Sequence, residues 1–207
     1  MIANAMPIFK KGSRSDPSNY WPISLTSILG KLVETIGKNR IIRHTDEHDL
    51  LGKSQHGFWK GKSCLTNLLE FFEGVNKNVD KGYSMDIMYL DFQKAFDKIP
   101  HQRLLSKVGC HGIRGKILSW ISNWLKDRKQ RVGINGQFSE WREVNSGVPQ
   151  GSVLRPVLFN IFINDLEKEV NCEVAKFADD TKLLMIVKSK ADCEELQGDL
   201  TKLVTGQ

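Results

Sequence analysis

Apolar residues recur at three- and four-residue spacing along much of the chain, and short alternating runs break that rhythm at defined places. Residues 7–24 are extended and turn-rich, with Pro7, Gly12-Ser13, Asp16-Pro17 and Trp21-Pro22 all disfavouring helix. From Thr26, the set Ile28, Leu29, Leu32, Val33, Ile36, Ile41 and Ile42 predicts a helix, stopping near Gly52. A second helix carries Leu65, Leu68, Leu69, Phe72, Val75 and Val79. The run Asp86 to Asp91 is short and β-favouring, and reads as a buried strand ending at Asp91. Helices are predicted over about 101–109 and 114–127, then again from Pro149 to Leu166 and over 190–204. Between them, two alternating runs flank Asn135-Gly136, a pair suited to the positive φ angles of a type I′ hairpin turn. Val174–Phe177 and Leu183–Val187 read as two strands joined by a polar turn, Ala178-Asp179-Asp180-Thr181-Lys182.

Composition narrows the class. The chain has 207 residues, 40% hydrophobic and 26% charged, which excludes a disordered tail. No apolar run approaches the roughly 18 residues of a membrane-spanning helix, and no signal peptide is visible at the N-terminus, so no membrane partner is expected. The net charge of +6 permits a polyanionic partner but equally serves solubility. Four cysteines, at 64, 110, 172 and 193, match no zinc spacing and read as reduced intracellular thiols. Nucleus and cytoplasm are not distinguished.

Two acidic placements change the picture. Asp91 ends an apolar strand, and Asp179-Asp180 sit at a hairpin tip with apolar arms. An isolated buried carboxylate is costly, so it is usually paired, hydrogen-bonded or bound to a cation. Singly, each reads as a turn or cap aspartate; together they can converge on hard divalent cations that support in-line displacement at phosphorus. That pattern alone leaves a nuclease or phosphatase possible and does not identify the reaction.

Longer motifs go further. Leu90-Asp91-Phe92-Gln93-Lys94-Ala95-Phe96-Asp97, Ser146-Gly147-Val148-Pro149-Gln150-Gly151-Ser152-Val153-Leu154 and Phe177-Ala178-Asp179-Asp180 resemble the A, B and C motifs of reverse transcriptases, in order and spacing. Asn19-Tyr20-Trp21-Pro22-Ile23-Ser24-Leu25 and Gln55-His56-Gly57-Phe58 resemble fingers motifs of the LINE-type, non-LTR retrotransposon subgroup, jockey-like or chicken-repeat-like. The resemblance runs from Pro7 to about Leu203. It implies an α+β right-hand polymerase fold: mostly helical fingers at 1–85 and a palm at 86–207, the latter an antiparallel sheet with helices packed on one face. The thumb is expected to be missing. It implies RNA-templated DNA synthesis from an RNA template, a DNA primer and dNTPs, with Asp91, Asp179 and Asp180 holding two Mg²⁺ ions (Mn²⁺ substituting). Phe96 matches the steric gate against ribose, Gln150 and Gly151 the loop lining the incoming nucleotide, and Ala178 and Lys182 the primer side. As bare residues these read respectively as a core aromatic, a helix-start turn and a solvated lysine.

Three positions depart from the family pattern. Trp59 stands where an arginine usually reaches the triphosphate, so a charge-assisted clamp is lost and Lys60 and Lys62 are left as neighbouring point charges. Trp21 likewise replaces an arginine. Arg155 replaces a glycine within the apolar face of Val153, Leu154, Val157 and Leu158, where it is expected to be a packing fault that Arg155→Gly would relieve. These departures keep a second class in play: a decayed relic acting at most as an RNA-binding module.

Overall fold

The computed structural model describes residues 2–92 and 94–205. The chain divides into two compact units, each assembled from two segments: Met1–Leu50 with Lys94–Phe162, and Leu51–Gln93 with Ile163–Gln207.

In the first unit, β1 (Ile2–Phe9) pairs antiparallel with β2 (Tyr20–Leu25) and parallel with β4 (Lys129–Ile134). Strand β4 also pairs with the short β5 (Gln137–Phe138) and β6 (Arg142–Glu143). The expected hairpin turn is present, with Asn135 and Gly136 at φ of 49° and 79°. Helices α1 (Ile28–Glu47), α3 (His101–Cys110) and α4 (Gly115–Leu125) complete the unit, together with nearly all of α5 (Arg155–Ile163).

Helix α1 starts at a Ser27 cap whose hydroxyl accepts from the Gly30 amide at 3.0 Å. Most of its apolar residues are exposed. Ile28, Leu29, Leu32, Val33 and Ile36 are all at least half exposed, whereas Glu34, Ile41 and Thr45 are buried. The side turned inward carries Gly37, where a β-carbon would lie 2.6 Å from the Trp120 ring. Glu34 is tolerated there because it accepts from the Trp124 indole (3.1 Å), the Ser152 hydroxyl (2.9 Å) and the Val153 amide (2.8 Å). Arg128, also buried, supplies the compensating charge; desolvation pulls its guanidinium down to about 10, and Glu34 opposes the shift.

In the second unit, β3 (Ser84–Asp91), β8 (Asp180–Val187) and β7 (Glu173–Phe177) form an antiparallel sheet in the order β3-β8-β7. Helix α2 (Cys64–Val79) opens on a capping box between Ser63 and Thr66, and α6 (Lys190–Thr205) closes the chain. Helices cover both faces of this sheet rather than the single face expected. Leu183 packs with Val170, Cys172 and Leu196 of α6, while Lys182 on the other face reaches Asn67 and Phe71 of α2. The central strand shows why: Leu183 and Leu184 are successive residues, point to opposite faces, and are both buried. Cys172 is buried in that core, where desolvation and then Asp199 push its thiol up to about 11. Strand β3 is correspondingly an edge strand, and none of its residues is buried, so the buried strand read from its sequence is not what forms.

Candidate active site

The three aspartates lie in the second unit. Pairing of β3 with β8 runs from Ser84↔Val187 to Asp91↔Asp180, so the last residue of β3 stands directly across from the first residue of β8. Directly opposed residues share a face, here the one that Lys182 and Leu184 occupy. Phe177 pairs with Asp180, which leaves only Ala178 and Asp179 in the turn. The five-residue polar loop read from the sequence is therefore a two-residue turn: Thr181 is 1% exposed and Lys182 is committed to the strand.

Asp91 and Asp180 are exposed and Asp179 is half-buried, so burial is not what makes the arrangement costly. The cost comes from like charges placed directly opposite each other, each of which is destabilising across strands. Among the described residues, Asp91 and Asp180 have no hydrogen-bonded or ion-paired side-chain partner. Paired carboxylate oxygens of this kind suit a hard divalent cation. No group of three or more ligating side chains is gathered around one point among the described residues.

The turn is supported from below by the segment around Gln55. The Lys176 amide donates to the Ser54 carbonyl and the His56 amide to the Lys176 carbonyl, both at 2.9 Å, giving a short parallel bridge beside β7. Ala178 has a positive φ of 56°, is 7% exposed, and bonds through its backbone to the Gln55 amide. Gly57 lies so close that a β-carbon there would collide with the Ala178 backbone nitrogen. Beneath, Lys176 is fully buried and sits 3.5 Å from Glu167, which also accepts from Ser54. Burial pushes the Lys176 ammonium down, against the pull of Glu167. His56 bridges Thr66 (2.9 Å) and Glu70 (3.0 Å); burial first, then Lys62, hold its imidazole below the usual range.

The remaining candidates of this unit are dispersed. The Lys182 ammonium donates to Asn67 at 3.2 Å and lies 4.4 Å from the Phe71 ring centre, on the α2 side rather than in open solvent. Ala178 is buried instead of presenting an open surface. Lys60 is exposed, whereas Lys62 bends back onto the Lys53 carbonyl. Trp59 is half-buried.

Phe96, Gln150 and Gly151 belong to the first unit. Phe96 stacks on Phe159 with centroids 4.0 Å apart and carries the Arg155 guanidinium 4.4 Å from its ring centre. Arg155 also donates to the Val148 carbonyl at 3.1 Å and pairs with Asp97 at 3.4 Å. It is a bonded, aromatic-stacked residue, which corrects the packing fault expected from its sequence position. The 146–151 loop docks on the 96–99 segment: the Val148 amide donates to Phe96 and the Gly147 amide to Ile99. It also meets β2, where the Ser24 amide donates to the Gln150 carbonyl at 2.8 Å. Gly151, at φ of 101°, is required there because a β-carbon would lie 2.8 Å from the Ser24 carbonyl oxygen. Gln150 and Trp21 line a cleft of about 790 Å³ in this unit, which Lys10, Arg14, Lys94 and Arg128 make cationic on balance.

Two buried polar residues lie outside the sequence expectations: Gln55, which sits in a motif without a task of its own, and Glu34. The signal for the first was the glycine two residues later, which marks a backbone held against something else.

Comparison with known proteins identifies the family. Residues 8–205 match the family described as "Reverse transcriptase (RNA-dependent DNA polymerase)". The chain is 30% identical over 99% of its length to the probable RNA-directed DNA polymerase from transposon BS of Drosophila melanogaster. It is 32% identical over 90% of its length to that from the mobile element jockey of the same species. It spans 23% and 21% of those two relatives. Apo telomerase from Candida tropicalis, truncated from its C-terminal domain, shares the fold at a TM-score of 0.64 and 12% identity, over 97% of this chain and 46% of that one. Among the described residues, no helix is long and apolar enough to cross a membrane. The chain thus belongs to the reverse transcriptase family, as an RNA-directed DNA polymerase domain of the LINE-type, non-LTR retrotransposon kind.

Proposed function

We propose that this chain carries out RNA-templated DNA synthesis, in which a primer 3′-hydroxyl attacks the α-phosphorus of a dNTP and pyrophosphate leaves. The observation that carries the proposal is the Asp91↔Asp180 pairing with Asp179 in the adjoining two-residue turn. Asp91, Asp179 and Asp180 would hold two Mg²⁺ ions, with Mn²⁺ as substitute; bound there, the ions supply charge stabilisation at phosphorus and a more nucleophilic primer hydroxyl. The chain's own residues position the reactants. Phe96 acts as the gate against ribose, its ring fixed by Phe159 and Arg155. Gln150 and Gly151 line the nucleotide, and the exposed Lys60 supplies charge toward its triphosphate. Positioning and fixed electrostatics account for most of the rate in such transfers.

Extension of oligo(dT) on poly(rA) in Mg²⁺ or Mn²⁺ tests the reading. Labelled dTTP incorporation that disappears in Asp179→Asn supports it. RNA binding without incorporation would favour the non-catalytic alternative, for which the uncharged Trp59 is the specific argument.

A further inference from the structure

We propose that Gln55 is a positioning residue for catalysis, whose side-chain amide fixes the conformation of the Ala178-Asp179 turn and so aims the Asp179 and Asp180 carboxylates. The inference rests on the reading of those aspartates as the divalent-ion site.

Gln55 is 6% exposed, and three of the four hydrogen bonds its amide can make go to two residues. Its Oε1 accepts from the Gly57 amide at 2.7 Å and from the Ala178 amide at 2.9 Å. Its Nε2 donates to the Ala178 carbonyl at 3.1 Å. One side chain therefore satisfies both the N–H and the C=O of the residue immediately before the catalytic pair. That residue needs the help: Ala178 holds φ of 56°, a region a non-glycine residue occupies at a cost and keeps only where its surroundings impose it. The three contacts also settle the amide's orientation, because two N–H donors face one atom and a carbonyl faces the other.

No other residue type fits these demands. Glutamate would keep the two accepted bonds but set a carboxylate oxygen against the Ala178 carbonyl, acceptor against acceptor. Asparagine is one methylene too short to reach both ends. Methionine keeps the length and loses every bond. Gln55 is itself held, since its neighbours Ser54 and His56 bond to Lys176 on both sides of it in the parallel bridge. The turn is thus tied to β7 through a second segment and not only through β8.

The test uses the whole chain with Gln55→Met and Gln55→Glu. Amide hydrogen exchange is followed at Gly57, Ala178 and, as a control inside the sheet, Leu183; Mn²⁺ affinity is followed by electron paramagnetic resonance. In Gln55→Met, exchange at Gly57 and Ala178 should accelerate at least about tenfold with Leu183 unchanged, and Mn²⁺ affinity should fall severalfold. Gln55→Glu, which keeps the two amide bonds, should leave exchange nearly as slow yet still weaken or misplace Mn²⁺, and it carries the test if the methionine variant does not fold. Unchanged exchange at Gly57 and Ala178 overturns the clamp. Faster exchange with unaltered Mn²⁺ affinity overturns the positioning role and leaves Gln55 structural. A wild-type chain that binds no Mn²⁺ at all, with Asp179→Asn indistinguishable from it, brings down the metal-site reading, and the positioning role with it.

Discussion

Replacing Arg155 separates two opposed accounts of one side chain. From sequence it looks like an overpacked intruder; in the structure its guanidinium donates to the Val148 carbonyl, pairs with Asp97 and lies over Phe96. A hydrogen bond from a charged donor contributes about 1.5–3 kcal/mol. The Asp97 pair adds about 0–1 kcal/mol, at the low end because Asp97 is 45% exposed and screened by solvent. The ring contact adds about 0.5–1 kcal/mol. The three share one group and do not sum freely, so Arg155→Gly should cost about 2–4 kcal/mol. For a chain of this size that is a fall in melting temperature of roughly 5–15 °C. Arg155→Lys, which keeps a charge near Asp97 but loses the planar fork, should fall in between. Thermal unfolding followed by circular dichroism reads all three proteins. A rise in melting temperature for Arg155→Gly would refute the structural account and restore the overpacking one.

Gly57→Ala should destabilise by about 1–3 kcal/mol and, if the proposed site is right, slow primer extension together, because its β-carbon collides with the backbone of the Ala178-Asp179 turn; denaturant melts and incorporation assays check both. His56 has a folded-state pKa below its unfolded value, so the unfolded chain takes up a proton first as pH falls. Stability should then be level above about pH 6.5 and drop below it, and His56→Gln should flatten that drop in melts taken between pH 5 and 8. Trp59→Arg should lower the KM for dNTP about tenfold with a smaller effect on kcat, since a triphosphate clamp acts in ground and transition states alike; steady-state kinetics with an unchanged KM would remove Trp59 from the nucleotide site.

What the sequence shows and what it hides follow from the range of the forces involved. The hairpin at Asn135-Gly136 was legible because positive φ is a local demand that few residues meet. Helix α2 was legible from spacing, yet Phe71 and Asn67 are buried while Leu65, Leu69 and Phe72 are exposed. Periodicity gives the existence of a helix, but its inward side depends on partners far away in sequence. Glu34 shows the same limit, being buried among Trp124, Ser152 and Val153 by contacts that no local pattern encodes. At the site, the placement of the aspartates at the ends of β-favouring runs is legible, but their cost lies in cross-strand charge and not in the burial that placement suggests. The Lys182 error has a similar origin: a lysine near an acidic turn reads as solvated until α2 is seen to offer Asn67 and Phe71.

On the proposed function, Asp91 and Asp180 face each other at a cost to the fold because function needs a divalent ion between them. Asp180→Asn should separate those two effects in a single protein preparation. Removing one of two opposed charges relieves repulsion worth about 0.2–1 kcal/mol, so the metal-free variant should melt at the wild-type temperature or slightly above it. The same variant should lose the Mn²⁺-supported extension of a DNA primer on an RNA template that the proposed function predicts for the wild-type chain. Full extension by Asp180→Asn, or a melting temperature well below wild type, would contradict the account.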